Sequence, residues 1–599
     1  MSASPRQFLR AVLSVPRGPL VITFAVLLST SAGRCGVVPG ELDWTFDPDV
    51  DSAVRAIAVQ PDERIIIGGD FSLVNGTARA CLARLLPNGR LDEDFAPIAN
   101  APVYSVAVLP DGKILIGGHF TTVNGTTRHR IARLHPDGSV DTAFNPSANN
   151  LVRTVSVMPD GRFVAGGFFD SIAGGNRTGS ARLNSAGALD PGFNPGTVGE
   201  VYSTELLPGG KLLVGGLLLY SGPSAQNIAA LLPSGAVDAS FTPAANGIVR
   251  GTPVQADGRI VISGNFTTVS GQARGRIARL MPNGSLDPSF NPGLNDTAYT
   301  TVLQADGKIL TGGVFTFAGN GARRGIARFH ADGSLDAEFP ATTNGLLFAI
   351  ALQADGRVLI GGQFTSVNGT ARNRLARLWN DEAIQELNVP GADRIQWLRE
   401  GSSPEASQVT FEHAAGEKGP WTALGGAVRI AGGWELAGLN LPAGGFIRAR
   451  ARMNCAYGCG SSSLLETIAP YSLAGGIEAW RQAHFGTNAN SGDAANSSDP
   501  DHDGVDNLAE YAFGLDPAQH DAGSLPRWQA VPGGHALSFT QPSGATGLAI
   551  LAEHSTSLEP DAWTVIPSST PPPLFSFFAP AVSAPRSFLR LRVLALSEK

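Results

Sequence analysis

The chain has 599 residues, of which 43% are hydrophobic and only 16% charged, and its net charge is −7. That length is too great for one core, so several domains are expected. The apolar content excludes a disordered chain, and the acidic balance argues against a sequence-independent nucleic-acid binder, which needs a basic surface.

The N-terminus reads as an export signal over residues 1–33. Arg6, Arg10 and Arg17 form a basic start, Pro19 to Leu28 is mostly apolar, and small residues follow to Gly33. Cleavage is expected near Ala32 or Gly33. Arg34 precedes Cys35 where a lipoprotein signal wants a small residue, so lipidation is not expected. No later stretch is apolar enough to span a bilayer. The 73 Gly and 41 Pro point to many turns and short strands.

A repeat begins near residue 41. The Asp of a "PDG" or "ADG" turn recurs at Asp62, Asp111, Asp160, Asp257, Asp306 and Asp355, with Gly209 in the same slot of the fourth copy. The steps are 49, 49, 49, 48, 49 and 49 residues. Each unit opens on an alternating stretch such as "VYSVAVLP", turns at D-G, and continues as "KILIGGHF". The Gly pair marks a bulge or a close backbone approach. "VNG" gives another turn, "IARL" a third strand, and "LDxxF" a short fourth one. Four-stranded antiparallel units of this period are propeller blades. The seventh copy lacks its LDxxF strand, and "ELDWTFDP" (Glu41 to Pro48) precedes the first. The N-terminal strand is therefore expected to complete the seventh blade and close the ring, removing two sheet edges.

The seven copies of "QxDGKILIGGxF…NGxxRxxIARLxPDGSLDxxF" resemble the bacterial delta-60 repeat family. That resemblance implies a seven-bladed propeller over residues 41–387 of an exported protein. It implies no biochemical role.

Within the repeat, Arg84, Arg133, Arg182, Arg279, Arg328 and Arg377 share one slot; Asp92, Asp141, Asp190, Asp238, Asp287, Asp336 and Asp43 share another. One reading is a charged ring around a pore. The preferred one is a bond that pins each blade, because a catalytic site does not need seven copies. The "NGT" sequons at Asn75, Asn124 and Asn368 read first as turns. The fourth copy has lost its turn Asp, the Phe after the Gly pair and the Arg. Its Leu217 to Tyr220 run reads as drift, with an apolar contact patch as the alternative.

After Leu387 the repeats stop, and six of the 8 Trp follow Gly391. Strand-like pieces predict an immunoglobulin-like β-sandwich over 388–471 with Trp in its core. Cys455 and Cys459 bracket a three-residue turn, open to either a local disulfide or two free thiols; no His cluster supports zinc. Residues 474–520 predict a helix, with Ile477, Trp480 and His484 at helical spacing, and then "DPDHDGVDNLAE". Numbered from Asp499, carboxylates fall at positions 1, 3 and 5 (Asp499, Asp501, Asp503), Gly504 at 6, the Val505 carbonyl at 7, Asn507 at 9 and Glu510 at 12. This is the twelve-residue calcium loop, which wraps hard oxygen ligands around one cation. The segment resembles thrombospondin type 3 and dockerin loops, but it stands alone. Residues 525–599 predict a second small sandwich, with no terminal sorting signal evident.

The fold class is therefore all-β: a seven-bladed propeller, small sandwiches and a short helical calcium segment. The favoured function is a non-enzymatic binding or scaffold protein, secreted or in the cell envelope. Its inter-blade loops carry recognition, its trailing modules act as spacers, and it holds a structural Ca2+. A macromolecular or glycan ligand, no nucleic acid, and a monomer are expected. The alternative is an extracellular glycan-active propeller enzyme, a hydrolase or lyase. It would need an unrepeated acid–base pair, and the sequence contains no motif for one.

Overall fold

The computed structural model describes residues 38–595 apart from 197–198, 220–225, 443, 455–461, 473–475, 488, 543–544, 546–547, 558, 560–561, 570–573 and 581–587. The export signal with Cys35, and the pair Cys455 and Cys459, lie outside the described residues.

Each repeat contributes three antiparallel strands, a separate sheet in six blades and, in the second, part of a seven-stranded sheet that runs on into the following module. In the first blade the inner strand is Val54–Val59, the middle Ile65–Gly69 and the outer Leu82–Leu85. The inner strands are neighbours in chain order, and the last, Leu347–Leu352, returns to Val54–Val59, so the ring closes with seven blades. The cores lie between blades: Val54, Ile57, Ile65 and Phe71 of the first share one cluster with Ala349, Leu359 and Leu375 of the seventh.

The expected fourth strand is not a strand. In the first blade LDxxF makes a single bridge, Leu85 to Leu91, and then turns. Asp92 explains this: its carboxylate accepts from the backbone N–H of Asp94 two residues on at 3.2 Å, which bends the chain out of the ladder. The turn drops Phe95 into the core, fully buried. The "VNG" turn carries an added two-residue hairpin, Leu73–Val74 with Thr77–Ala78. Asn75, Asn124 and Asn368 sit in it with φ of 50°, 49° and 49°.

The Gly pair is both a bulge and a close approach. Val54 pairs with Gly69 and Ala56 with Gly68, so Arg55 is an extra, bulged residue. A Cβ on Gly69 would sit 2.0 Å from the Ala53 carbonyl oxygen of the inner strand.

The repeated Arg and Asp do not line the axis. They join outer strand to turn and blade to blade. Arg84 donates to Asp92 at 2.7 Å and to the Pro136 carbonyl of the next blade at 2.6 Å, and stacks over Phe95 at 4.4 Å. The N-terminal segment supplies the missing partner in the seventh blade. Arg377 donates to Asp43 at 2.8 Å and to the Pro87 carbonyl at 2.7 Å, and Leu42 bridges Leu378. The fourth blade has Ala230 in the Arg slot, and Lys211 takes Asp238 at 2.7 Å instead.

Strand Ala383–Gly391 pairs with Arg394–Gly401, so the sandwich begins before the expected boundary at 388. Two four-stranded layers enclose a core containing Trp397, Phe411 and Trp434. This module is not a spacer. It is docked on the propeller mouth where the inner strands end. Ser462 pairs with Ala107, and Val59 N–H donates to Ser463 Oγ at 2.9 Å. Arg452 donates to the Val108 carbonyl at 2.9 Å, and Glu405 N–H to Leu303 at 3.0 Å. A cavity of about 30 Å³ lies at that contact beside Leu303 and Glu405, and a larger one of about 590 Å³ separates the second and third blades, at Asp111, Arg133 and Asp160, from the sandwich face of Thr410, Glu412 and Arg450.

Helices α1 (Gly476–Phe485) and α2 (Asn507–Phe513) follow. Leu508 and Ala512 of α2 share a core with Leu537, Ile550 and Phe577 of the last module, whose two three-stranded sheets form the second sandwich.

Deleting Glu41 to Pro48 should lower the melting temperature and promote association, since it strips the seventh blade's outer edge. Asp43→Ala alone should cost about 3–5 kcal/mol by urea unfolding, because Arg377 stays buried without its carboxylate. A deletion that melts and sediments like the parent would refute closure.

The clamp also sets an acid limit. Burial alone raises Asp43, but hydrogen bonds from Thr45 and the Arg377 partnership hold it below the usual carboxylate range. Hydrogen bonds from Lys211 and Ser240 hold Asp238 down to about 2. A carboxylate depressed in the fold stabilises it above the unfolded value of about 3.9 and stops doing so as pH falls through the folded value. Stability of the propeller should therefore fall as pH drops from about 4 toward 2, which melting curves across that range will read.

Candidate functional site

Two places gather unrepeated side chains. The first is the acidic loop before α2. Gly504 holds φ of 92° at position 6, where the chain reverses. Asp499 accepts from Asp503 N–H at 3.2 Å and from Gly504 N–H at 3.0 Å; Asp503 accepts from Val505 N–H at 2.9 Å. These bonds bring oxygen atoms of Asp499, Asp501 and Asp503 within 4.8 Å of one another.

Glu510, at position 12, is fully buried on α2, and no donor reaches either of its oxygens. Burial first, and then the carboxylates of Asp501, Asp503, Asp521 and Asp499, push its pKa up to about 8. Asn507 donates its amide to the Asp493 and Ala495 carbonyls at 2.7 and 2.8 Å, which leaves its buried Oδ1 without a donor. Val505 is buried at position 7. Asp506, by contrast, caps α2 by accepting from Ala509 N–H at 3.1 Å.

Asp521 has no place in the twelve-residue pattern, yet the fold brings it here. Its own N–H and that of Ala522 donate to Asp503 at 2.9 and 2.6 Å, and its Oδ1 is buried without a donor. The orphaned buried atoms of Asp501, Asn507, Glu510 and Asp521 are all oxygen acceptors. Such a set fits a hard cation that takes six to eight oxygens; it does not fit a hydrogen-bond network, which would need donors.

The second place is the propeller mouth opposite the docked sandwich. The bulge puts one extra residue per blade at the start of each inner strand. These are Arg55, Tyr104, Arg153, Tyr202, Arg250, Tyr299 and Phe348. Arg and aromatic residues alternate around the ring. Arg55 lies over Phe348 and Tyr104 at 4.8 and 5.2 Å. Arg153 lies over Tyr104 and Tyr202 at 5.6 and 4.5 Å, and Arg250 over Tyr202 and Tyr299 at 4.6 and 5.1 Å. Seven is odd, so alternation must fail once. It does so where Tyr299 meets Phe348 edge to face at 5.4 Å. Arg55 forks onto Asp70 at 2.7 and 2.6 Å, and Arg153 pairs with Glu200, which also accepts from the Tyr202 hydroxyl at 2.9 Å. The sequence holds this alternation in plain view at the repeat spacing, but it shows only when the copies are aligned on the bulge. In the fourth blade Leu217 is 46% exposed, while Tyr220 lies outside the described residues.

Comparison with known proteins agrees with the architecture. Seven stretches, 60–95, 109–144, 159–193, 207–241, 255–290, 304–339 and 353–381, match the family described as "Domain of unknown function (DUF5122) beta-propeller". Residues 60–381 are a β-propeller of seven repeats. No curated protein matches the chain. Among solved structures it is similar to PorZ, a bacterial surface component of the type-IX secretion system of Porphyromonas gingivalis, at 12% identity and a TM-score of 0.32, over 73% of this chain and 61% of that one. It is also similar to a protein of unknown function from Dyadobacter fermentans, at 13% identity and a TM-score of 0.26, over 57% of this chain and 96% of that one. The chain thus spans about 61% of the first neighbour's length, and at these scores neither likeness carries an argument about function. Among the described residues no helix is long and apolar enough to cross a membrane.

The loop makes a reciprocal prediction. Calcium should bind the full chain with a Kd of about 10⁻⁴–10⁻³ M, and a hundredfold excess should stabilise the C-terminal unit by about 2.7 kcal/mol. Asp503→Ala should abolish the heat of binding. Glu510→Gln should melt no lower than the parent in chelator, because it removes a crowded charge, yet lower than the parent in calcium. Calorimetry in both buffers reads both signs.

Proposed function

We propose that the protein is an exported, non-enzymatic binding or scaffold protein of the bacterial envelope or exterior, with a structural calcium site in its C-terminal unit. Asp499, Asp501, Asp503 and Glu510 would hold the ion, with the Val505 carbonyl, Asn507 and, beyond the sequence pattern, Asp521. Because α2 carries Glu510 on one side and packs Leu508 and Ala512 into the last sandwich on the other, the ion would fix that sandwich's entry segment.

The observation that carries the binding reading is the division of the propeller's polar residues. Those repeated in the blades are spent on the fold, in Arg–Asp pairs and turns such as Asp62 to Arg64 N–H at 3.2 Å. Those that vary between copies gather at the mouth left uncovered by the sandwich. Loops and side chains on a rigid scaffold commonly carry recognition. Export rests on the N-terminal sequence pattern.

A binding screen of the full chain against glycans and envelope proteins, run beside a hydrolase and lyase panel, tests this. Saturable binding without turnover is expected. Turnover abolished by replacing one unrepeated carboxylate would overturn it in favour of the glycan-active enzyme.

A further inference from the structure

The larger cavity under the propeller has the dimensions and the walls of a ligand site. It holds about 590 Å³, inside the range of about 300–1,000 Å³ that small-molecule sites occupy, and it lies at a junction of modules, where such sites concentrate. It opens to solvent between the D-G turns of the second and third blades, where the Asp111 and Asp160 side chains are 58% and 47% exposed. One wall is the gap between those blades, with Leu109, Leu115, Met158 and Phe163. The other is the face of strand Gln408–Ala414 turned away from the sandwich core, with Gln408, Thr410 and Glu412.

The repeat itself singles out the first wall. The residue two places before the turn Asp is Gln in four copies, as Gln60, Gln255, Gln304 and Gln353. In the second, third and fourth copies it is Leu109, Met158 and Leu207. Where this slot lies against the sandwich, Gln304 is 1% exposed and bridges Pro404. Where the sandwich stands off, at the cavity, the slot holds Leu109 and Met158. A gap that only held water would keep the polar residue, since apolar surface left in water forgoes about 25 cal/mol per Å². The exchange runs the other way, and the wall it makes suits an apolar guest.

Charge narrows the guest further. The lining carries three carboxylates, Asp111, Asp160 and Glu412, and three guanidiniums, Arg133, Arg450 and Arg452, so its formal charges cancel. They are also already engaged. Arg133 donates to Asp141 at 2.8 Å, Arg450 to Glu466 at 2.7 Å and Arg452 to the Val108 carbonyl at 2.9 Å. Asp160 accepts from Arg162 at 2.7 Å, Glu412 from Arg448 at 2.5 Å, and Asp111 from the Lys113 N–H at 3.1 Å. A charged guest would find no counter-charge left over. Of the lining residues only Gln408 has a buried polar atom without a partner, its Oε1. The terminal torsion of a Gln is soft and turns either end of the amide outward. An oxygen without a donor favours a guest that brings one.

We propose that this cavity binds a neutral, largely apolar small molecule carrying one hydrogen-bond donor, with its body against Leu109, Leu115, Met158 and Phe163 and its donor on Gln408 Oε1. The site is separate from the open mouth and stands on its own, whatever the mouth recognises.

The test uses the full chain and N-phenyl-1-naphthylamine, an uncharged aromatic probe with one N–H that brightens on leaving water. Saturable binding at one site is expected. Leu109→Gln/Met158→Gln restores the residue that four copies already carry, and it should weaken binding at least about tenfold. Leu207→Gln, the same exchange in a copy that does not line the cavity, should leave binding within about twofold. If the double variant fails to fold, Ala423→Trp serves: it fills the cavity from the exposed sandwich strand and should abolish binding. Competition reads the guest's chemistry. 1-Naphthol should displace the probe about fivefold better than 1-methoxynaphthalene, which lacks the donor, and that difference should vanish in Gln408→Leu. The charged 1-naphthalenesulfonate should not compete at the same concentration. No saturable binding, binding untouched by both cavity variants, or equal competition by all three naphthalenes would each overturn the proposal.

Discussion

The propeller depends on a place where no side chain fits. In all seven blades one glycine, the second of the pair in six and Gly264 after Ser263 in the fifth, faces a carbonyl at the start of the inner strand so closely that a Cβ would lie 2.0–2.3 Å from its oxygen. Nothing bulkier than hydrogen is compatible with that contact. The approach lets the inner strand take in one extra residue and twist sharply, as bulged strands do. From this follows the geometry of the axis. Inner strands stand side by side around it, and the extra residue of each points its side chain into the mouth. A requirement for emptiness at one position thus creates a chemically free position beside it.

The clamp is the second layer of the same economy. A buried Arg is tolerable only when its charge is met, and Arg84, Arg133, Arg279 and Arg377 meet it three ways: a carboxylate of the blade's own turn, a backbone carbonyl of the next blade, and an aromatic face. Two of those partners are local and one spans the seam between blades, so the pair that organises the turn also fixes blade spacing. The seventh clamp closes the circle because Asp43 arrives from the opposite end of the chain. The fourth blade shows how much slack the device has. Lys211 reaches Asp238 from the middle strand and keeps the carboxylate paired, while the reach to the next blade is not made by an Arg there.

The period of the repeat, the D-G turns and the Gly pair were legible because each is local chemistry written in six or seven of the copies, and the missing strand was legible as the one break in that pattern. The calcium loop was legible because its ligands come from twelve consecutive residues. What escaped was whatever depended on distance in space. LDxxF looked like a strand because its apolar spacing fits one, but the Asp side chain competes for the backbone and turns it. Asp521 stands eleven residues beyond Glu510 with nothing in the pattern to mark it; only the fold of 514–522 returns it to Asp503. The docking of the first sandwich was hidden for the same reason. Many of its contacts, such as those of Ser463, Arg452 and Glu405 and the pairing of Ser462 with Ala107, go to backbone groups at the ends of inner strands, and a backbone partner leaves no trace in sequence.

That docking makes the two faces of the propeller unequal, and the inequality gives the ring its meaning. A seven-fold repeat by itself has two open mouths. One is covered by the sandwich, which leaves about 30 Å³ beside Leu303 and Glu405 and a wider cavity of about 590 Å³ off to one side, under the second and third blades. The chain therefore is not an open conduit along the axis, and the uncovered mouth is a closed-bottomed surface. On such a surface an odd number of blades has a further effect. Strict alternation of Arg and aromatic is impossible with seven members, so the Tyr299–Phe348 seam gives the ring a direction that the fold alone lacks. The mouth thus has one aromatic sector and one arc where guanidiniums, aromatic rings and the carboxylates of Asp70 and Glu200 alternate, an asymmetry on a scaffold that is otherwise nearly symmetric.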